Sequence, residues 1–355
     1  VTDDEVPTIS CPVAVTGNTS DDGTGNCTTT VTLGTPTTGD NCSVSGVIAQ
    51  VGGSTIDPST YLFPVGVTTV RWTVTDGSGN TSYCDQSVTV TDDEDPDFTE
   101  PEEILICRDL DCSINADTLI TGYVTDETDN CTPSAQLNAT FVDDETGVAD
   151  CSVAGYIERT WILTDVSGNS TEKIQIIWVE PTVSITADSD TICDNTATSI
   201  LVESTNTTTN GIRYTWTVSD NPDVEGEEAS TGEGQDAGTA IVQTLDNTSE
   251  VAQRVQYVIT PWTVDNDDNN KCPGVPITID IWVEPTVSIT ADSDTICDNT
   301  ATSILVESTN TTTNGIRYTW TVSANPDVEG EEASTGEGQD AGTAIVQTLD
   351  NTSEV

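Results

Sequence analysis

Internal repetition constrains this chain more than any single motif does. The segment VTDDEVP at 1–7 returns as VTDDEDP at 90–96, DNC at 40–42 returns at 129–131, and TDGSGN at 75–80 returns as TDVSGN at 164–169, each time 89 residues on. Three landmarks sharing one offset mean two copies of one domain. A second family follows. The run IWVEPTVSITADSDTICDN begins at Ile177 and again at Ile281, 104 residues on, and the copies stay in step to Val251 and Val355 with one difference, Asp220 against Ala324. Four modules result: 1–91, 92–179, 180–283 and 284–355, the last about thirty residues short of a complete unit.

Each module is written in strand code. In VTTVRWTVT, Val70, Trp72 and Val74 point to one face and Arg71, Thr73 and Thr75 to the other, giving one core face and one wet face. The DGSGN that follows supplies Gly and Asn for positive φ. Trp161 and Leu163 repeat the inward pattern in the second module. Tyr214, Trp216 and Val218, then Val255, Tyr257 and Ile259, then Ile277, Ile279 and Ile281 do so in the third. No helical period competes, so an all-β chain of tandem immunoglobulin-like β-sandwich modules is expected. With each module roughly 40 Å long, the array is expected to be an extended rod.

The cysteines fit this scheme. None of the 11 forms a CxxC pair and the chain has no histidine, so disulfides in an oxidising compartment are the better reading than zinc. The first two modules hold four each, the third holds Cys193 and Cys272, and the fourth holds Cys297, whose partner would fall past residue 355. Cys297 is therefore expected to be a thiol without a partner in this segment. The pairings expected are Cys11–Cys84, Cys27–Cys42, Cys131–Cys151, Cys107–Cys112 and Cys193–Cys272, although four cysteines in one module admit three pairings and sequence does not choose among them. Lys173 stands where Cys84 would align, so the second module must pair differently from the first.

The stretch FPVGVTTVRWTVTDGSGN, with the earlier ISCP and DNC, resembles the HYR (hyalin repeat) domain, an immunoglobulin-like module of extracellular adhesion proteins. The second module, with DNC and RTWILTDVSGN, resembles a divergent relative. YTWTVS, TLDNTSE, VQYVITP and KCPGVPITIDIWVEP make the last two resemble PKD-like domains of Bacteroidota surface proteins. Strings of such domains are typical of giant cell-surface adhesins exported by the type 9 secretion system, including SprB-like gliding adhesins. The resemblance implies an extracellular, cell-surface location.

Charge and chemistry narrow the function. The chain carries 61 acidic and 8 basic residues, a net −53, which argues against nucleic acid and anionic membrane as partners. It contains no methionine and no membrane-length apolar run, and reads as a mature fragment. Without histidine there is no Ser-His or Cys-His nucleophile pair, so no enzyme is expected. Calcium is the one cofactor worth arguing, because carboxylates cluster at Asp3, Asp4 and Glu5, at Asp92, Asp93 and Asp95, and alternate at Asp265 and Asp267. The plainer reading is solvated acidic linkers. Thr118, Thr191 and Thr295 sit in Asp-Thr-aliphatic triplets that resemble a Bacteroidota O-glycosylation motif. Trp178 and Trp282 fall out of phase with the inward isoleucines, as exposed or junction-packing residues would. The leading reading is a structural stalk segment of an adhesin filament, its partners being neighbouring repeats and surface polysaccharide or solid surfaces. The alternatives are an array of polysaccharide-binding modules and an accessory region of a secreted hydrolase.

Overall fold

The computed structural model describes residues 3–353. Its regular structure is nearly all strand, with one α-helical turn at Thr118–Thr121 and three short 3-10 turns among the described residues. The chain forms two compact units: residues 1–104, 116–147 and 156–177 in one, and 105–115, 148–155 and 178–355 in the other.

In the first unit, the first repeat builds a five-stranded sheet in the order Val15–Asn18, Thr81–Thr91, Gly66–Asp76, Val44–Val51, Ser54–Ile56. The first pair is parallel and the others antiparallel. Two small sheets, Thr8–Ser10 with Thr37–Gly39 and Thr28–Thr30 with Leu62–Pro64, supply further strands. Val31, Leu33, Phe63, Val70, Trp72, Val88 and Val90 fill the core. Trp72 lies opposite Cys84 in the ladder, and Cys84 is bonded to Cys11. Its indole Nε1 donates to Gln86 Oε1 at 2.9 Å, and the buried Gln86 amide donates in turn to the carbonyls of Val13 and Leu33. This arrangement satisfies the polar edge that a buried tryptophan brings with it.

The second repeat copies the pattern. Trp161 Nε1 donates to Gln175 Oε1 at 3.2 Å, and Gln175 donates to the carbonyls of Glu102 and Thr121. Lys173, at the place of Cys84, reaches Asp97 at 2.8 Å instead of forming a disulfide. At one inward position an apolar side chain is replaced by a charged one: where the first repeat has Val70, the second has Arg159, only 1% exposed. Its guanidinium is held bidentately by Asp143, donates to Thr121 Oγ1 and Ala116 O, and lies 4.0 Å over the Phe141 ring.

In the second unit, a six-stranded sheet contains Asp190–Ile192, Ile277–Val283, Gln253–Val264, Ile212–Val218 and Gln235–Asp236 in that order, with Asn270–Pro273 beside Gln253–Val264. Tyr214, Trp216, Val255, Tyr257, Ile259, Ile279 and Ile281 point inward as the alternation requires. Residues 290–351 form two- to four-residue strands only. Among the described residues no helix is long and apolar enough to cross a membrane.

Candidate functional site

The first two repeats meet at the linker that leaves the strand Thr81–Thr91. Asp92 is 3% exposed and is gripped from both sides: Oδ1 accepts from Thr19 Oγ1 of the first repeat at 3.2 Å, and Oδ2 accepts from Ser167 Oγ of the second at 3.1 Å. Asp93 turns back to the first repeat and accepts from Ser20 N and Ser20 Oγ. The Ser20 hydroxyl, then its backbone N–H, hold the Asp93 carboxyl below the usual carboxylate range. Glu94 turns forward and accepts from Asn130 Nδ2. Asp95 is exposed. A disulfide between Cys27 and Cys131 closes the junction covalently.

The second repeat meets this linker with two loops. In TDVSGN, Asp165 Oδ1 accepts from the backbone of Gly168 and Asn169, while Asn169 Nδ2 bonds Asp165 Oδ2 at 2.8 Å and Asp92 O at 3.2 Å. In DNC, Asp129 Oδ2 accepts from Cys131 N at 2.8 Å. Asp92, Asp129 and Asp165 thereby bring carboxylate oxygens within 4.8 Å of one another. No described ion pair involves any of the three. Asp129 Oδ1 is buried and accepts no hydrogen bond. Three converging carboxylates, two of them less than 10% exposed, with one orphaned buried oxygen, are a hard-oxygen donor set that fits calcium.

The same apparatus stands at the start of the first repeat. Asn80 Nδ2 bonds Asp76 Oδ2 and Asp3 O, Asp40 Oδ2 accepts from Cys42 N, and Asn41 Nδ2 bonds Glu5 Oε2. Asp3, Asp40 and Cys42 converge there. Burial would raise the Asp76 carboxyl, but hydrogen bonds from Asn80 and the turn backbone outweigh it and hold it low.

The sequence named Asp92 and Asp3 among the candidate ligands but missed Asp40, Asp76, Asp129 and Asp165. Their signal was available, since each pair is acidic at the 89-residue offset. Asp93 and Asp95 do not join the trio, and Asp4 is exposed. Asp265 and Asp267 belong to no converging cluster of three acidic or thiol groups among the described residues. Asp265 Oδ1 is occupied by the backbone of Asp267 and Asn269, with Asn269 first among the causes that lower its carboxyl, and it serves the turn as Asp165 does. Asn80 and Asn169, which begin Asn-x-Ser/Thr sequons, are likewise turn locks. Thr118 opens the short helix capped by Asp117, Thr191 lies exposed in a paired strand, and Thr295 is exposed in a loop, three different backbone settings for one triplet.

Four of the five expected disulfides are corrected. Cys11–Cys84 is present, and Cys297 is a free exposed thiol. Cys27 pairs with Cys131, not Cys42, because Cys27 and Cys42 lie at opposite ends of the first sandwich. Cys27 precedes the strand paired at Pro64, whereas Ser43 O accepts from Gly77 N at the far end of the strand Gly66–Asp76. An 11-residue strand is about 35 Å long, several times a disulfide's reach. Cys112 is turned by a positive φ of 71° and bonds Cys151, so Cys107–Cys112 and Cys131–Cys151 do not form. Cys107 bonds Cys272, which leaves Cys193 free and exposed.

Trp178 and Trp282 are 37% and 38% exposed, as their phase required. Residues 2–90 match the HYR domain, and residues 190–287 match the PKD-like domain. No curated protein matches the chain in sequence. Similar solved structures include a three-immunoglobulin-domain fragment of titin, with 9% identity and a TM-score of 0.38 over 78% of this chain and 98% of that one. Another is mouse cadherin-23, extracellular domains 22 to 24, with 12% identity and a TM-score of 0.35 over 80% and 100%. At these scores the likenesses add nothing to the sheet topology already described. The two domain matches and the disulfides make the chain a repeat-containing, immunoglobulin-like protein of extracellular type.

Proposed function

We propose that this chain is a segment of the stalk of a secreted cell-surface adhesin, an extended rod of sandwich repeats that holds an adhesive region away from the cell in surface attachment or gliding. The observation that carries the reading is the first junction. Successive linker residues there are hydrogen-bonded alternately to the repeat behind and the repeat ahead, and one disulfide spans the boundary. A boundary fastened in this way transmits load and limits bending, which a stalk requires. The net charge of −53 adds repulsion between repeats. Export by the type 9 secretion system and kinship with SprB-like gliding adhesins rest on the sequence resemblance and belong to the same proposal. So does contact with polysaccharide or solid surfaces.

Calcium belongs to it as well. Asp92, Asp129 and Asp165 would hold the ion, which supplies positive charge where three carboxylates meet. The chain's own part is to aim those oxygens through the Asn169 and Cys131 backbone contacts. Calorimetric titration of the full chain with calcium is expected to show binding that Asp129→Asn weakens at least tenfold. Equal heats from both proteins remove calcium from the proposal.

Small-angle scattering of the full chain tests the stalk itself. A maximum dimension of several modules end to end, at roughly 40 Å each, is expected. A compact particle overturns the stalk. Submicromolar binding of the chain to a glycan array favours the polysaccharide-binding alternative.

A further inference from the structure

Three cysteines are free and exposed: Cys42, Cys193 and Cys297. Two of the four disulfides, Cys27–Cys131 and Cys107–Cys272, cross from one repeat to the next. Cys42 repeats a bonded cysteine in sequence, and Cys193 takes at its boundary the place that a bonded cysteine takes at the boundary before it.

Cys42 is Cys131 one 89-residue repeat earlier. Each donates its backbone N–H at 2.8 Å to the aspartate two residues before it, and each follows an asparagine bonded to the linker glutamate. Cys42 is thus held as Cys131 is held, at the face where Cys131 is bonded to the preceding repeat.

Cys193 stands to the fourth copy as Cys107 stands to the third. Cys107 ends a strand beside the last strand of its own repeat, where Arg108 N donates to Glu180 O at 3.1 Å. Cys193 follows the strand Asp190–Ile192, where Glu284 N donates to Ile192 O at 2.9 Å. Glu180 and Glu284 are one residue of WVEP, 104 residues apart. The boundaries around them match contact for contact. Val153 bridges Thr207 as Val251 bridges Thr311. Ala154 N donates to Thr207 O at 2.7 Å as Ala252 N donates to Thr311 O at 2.7 Å. Thr209 N donates to Glu180 Oε1 at 3.1 Å as Thr313 N donates to Glu284 Oε1 at 3.1 Å. At the first of these boundaries Cys107 is bonded to Cys272. At the second, the counterpart of Cys272 falls at position 376, past the 355 residues of the chain.

We propose that consecutive repeats are stitched by one disulfide per boundary, and that Cys42 and Cys193 are half-bonds for neighbouring repeats of the same chain. Cys42 takes the counterpart of Cys27 on a repeat before it, and Cys193 takes the counterpart of Cys272 on a completed copy after it. Cys297 repeats Cys193 for the boundary beyond. The inference rests on reading the chain as an array of repeats. Each bond forms by loss of two protons and two electrons from two thiols. The electrons pass to a disulfide oxidant, a thiol–disulfide oxidoreductase or oxidised glutathione. One thiolate attacks the oxidant's disulfide and releases one of its sulfurs as thiolate, and the second attacks the resulting mixed disulfide and releases the other, so the oxidant leaves as two thiols.

The test extends the full chain after Val355 by a second copy of residues 252–283, which places a cysteine at position 376, and refolds it in a glutathione redox buffer. Trypsin, cutting after Lys173 and Arg213, releases Cys193 on a peptide of its own. The expected product joins that peptide to the added cysteine within one chain, keeps Cys107–Cys272, and loses maleimide labelling at Cys193. Replacing the added cysteine with serine restores labelling. A Cys193 that stays reactive in the extended chain, or that links two chains, overturns the proposal. In the unextended chain, Cys107→Ser is expected to leave both Cys193 and Cys272 reactive, and a Cys193–Cys272 bond there also overturns it. Scattering of the oxidised chain separates the two readings: a rod whose peptide map lacks the boundary disulfides refutes the stitching alone, and a compact particle refutes the array.

Discussion

Residues 180–251 and 284–355 are one sequence with a single exchange, yet they do not reach the same structure. In the third copy IRYTWTV is one seven-residue strand, Ile212–Val218; in the fourth only Arg317–Tyr318 is strand. Ile241 and Leu245 are fully buried, whereas Ile345 and Leu349 are partly exposed. The copies differ in what packs on them. The third has Gln253–Val264 and Ile277–Val283 in its sheet, and the fourth has no counterpart of those strands within the 355 residues. Turns survive the difference: Tyr214 and Tyr318 make the same hydroxyl contacts to a Gln, a Thr carbonyl and a Thr hydroxyl. Local geometry is thus written in the local sequence, and strand length and burial are written some forty residues further on.

The largest effect that sharpens this comparison comes from supplying the missing strands. Adding a copy of residues 252–283 after Val355 is expected to extend the strand over 316–322. Hydrogen exchange there should slow by orders of magnitude, toward the rate over 212–218. Peptides spanning Asp220 or Ala324 tell the copies apart. Unchanged exchange would mean that burial in the third copy has another source. Next in size is a matched pair of cavities. Leu245→Ala is expected to cost about 2–5 kcal/mol by denaturant melting, and Leu349→Ala well under half of that, because the second side chain gives up less buried surface. Equal losses break the comparison.

Backbone positions should not distinguish the copies. Gly226 and Gly330 share a φ of +97°, and a Cβ at either would sit 2.1 or 2.2 Å from a threonine carbonyl. Alanine at each is expected to destabilise its own copy by more than about 1 kcal/mol and to a similar extent, as local proteolysis of the two loops would report. The smallest effect is that of the natural exchange. Asp220 and Ala324 are both exposed, and Asp220→Ala is expected to change stability by no more than about 0.5 kcal/mol.

The parts legible in the sequence were those with a period. Alternation placed Val70, Trp72 and Val74 inward and left Trp178 and Trp282 partly exposed. Arg159 was not read as buried, because its partners Asp143 and Thr121 lie 16 and 38 residues away and no periodicity connects them. The disulfides were misread on the assumption that each module closes on itself. Cys27 has Ala116 at its 89-residue counterpart, whereas Cys42 recurs as Cys131, and that asymmetry marked a bond across the boundary. The carboxylate trio was half legible, since Asp92 was named but the two aspartates that meet it come from loops whose approach depends on the folded sandwich.

The two crossing disulfides have a mechanical consequence. They close loops of 104 and 165 residues, and they interlock, because Cys107 lies before Cys131 in the chain. A pull on the ends therefore runs from Cys27 through sulfur to Cys131, back along the 24 residues to Cys107, and through sulfur again to Cys272. Unlinked, the segment from 27 to 272 would pay out about 800 Å when drawn straight; linked, it yields about 80 Å. Most of the first three repeats, residues 28–106 and 132–271, is shielded from tension, so a tug strong enough to open them would meet covalent bonds first.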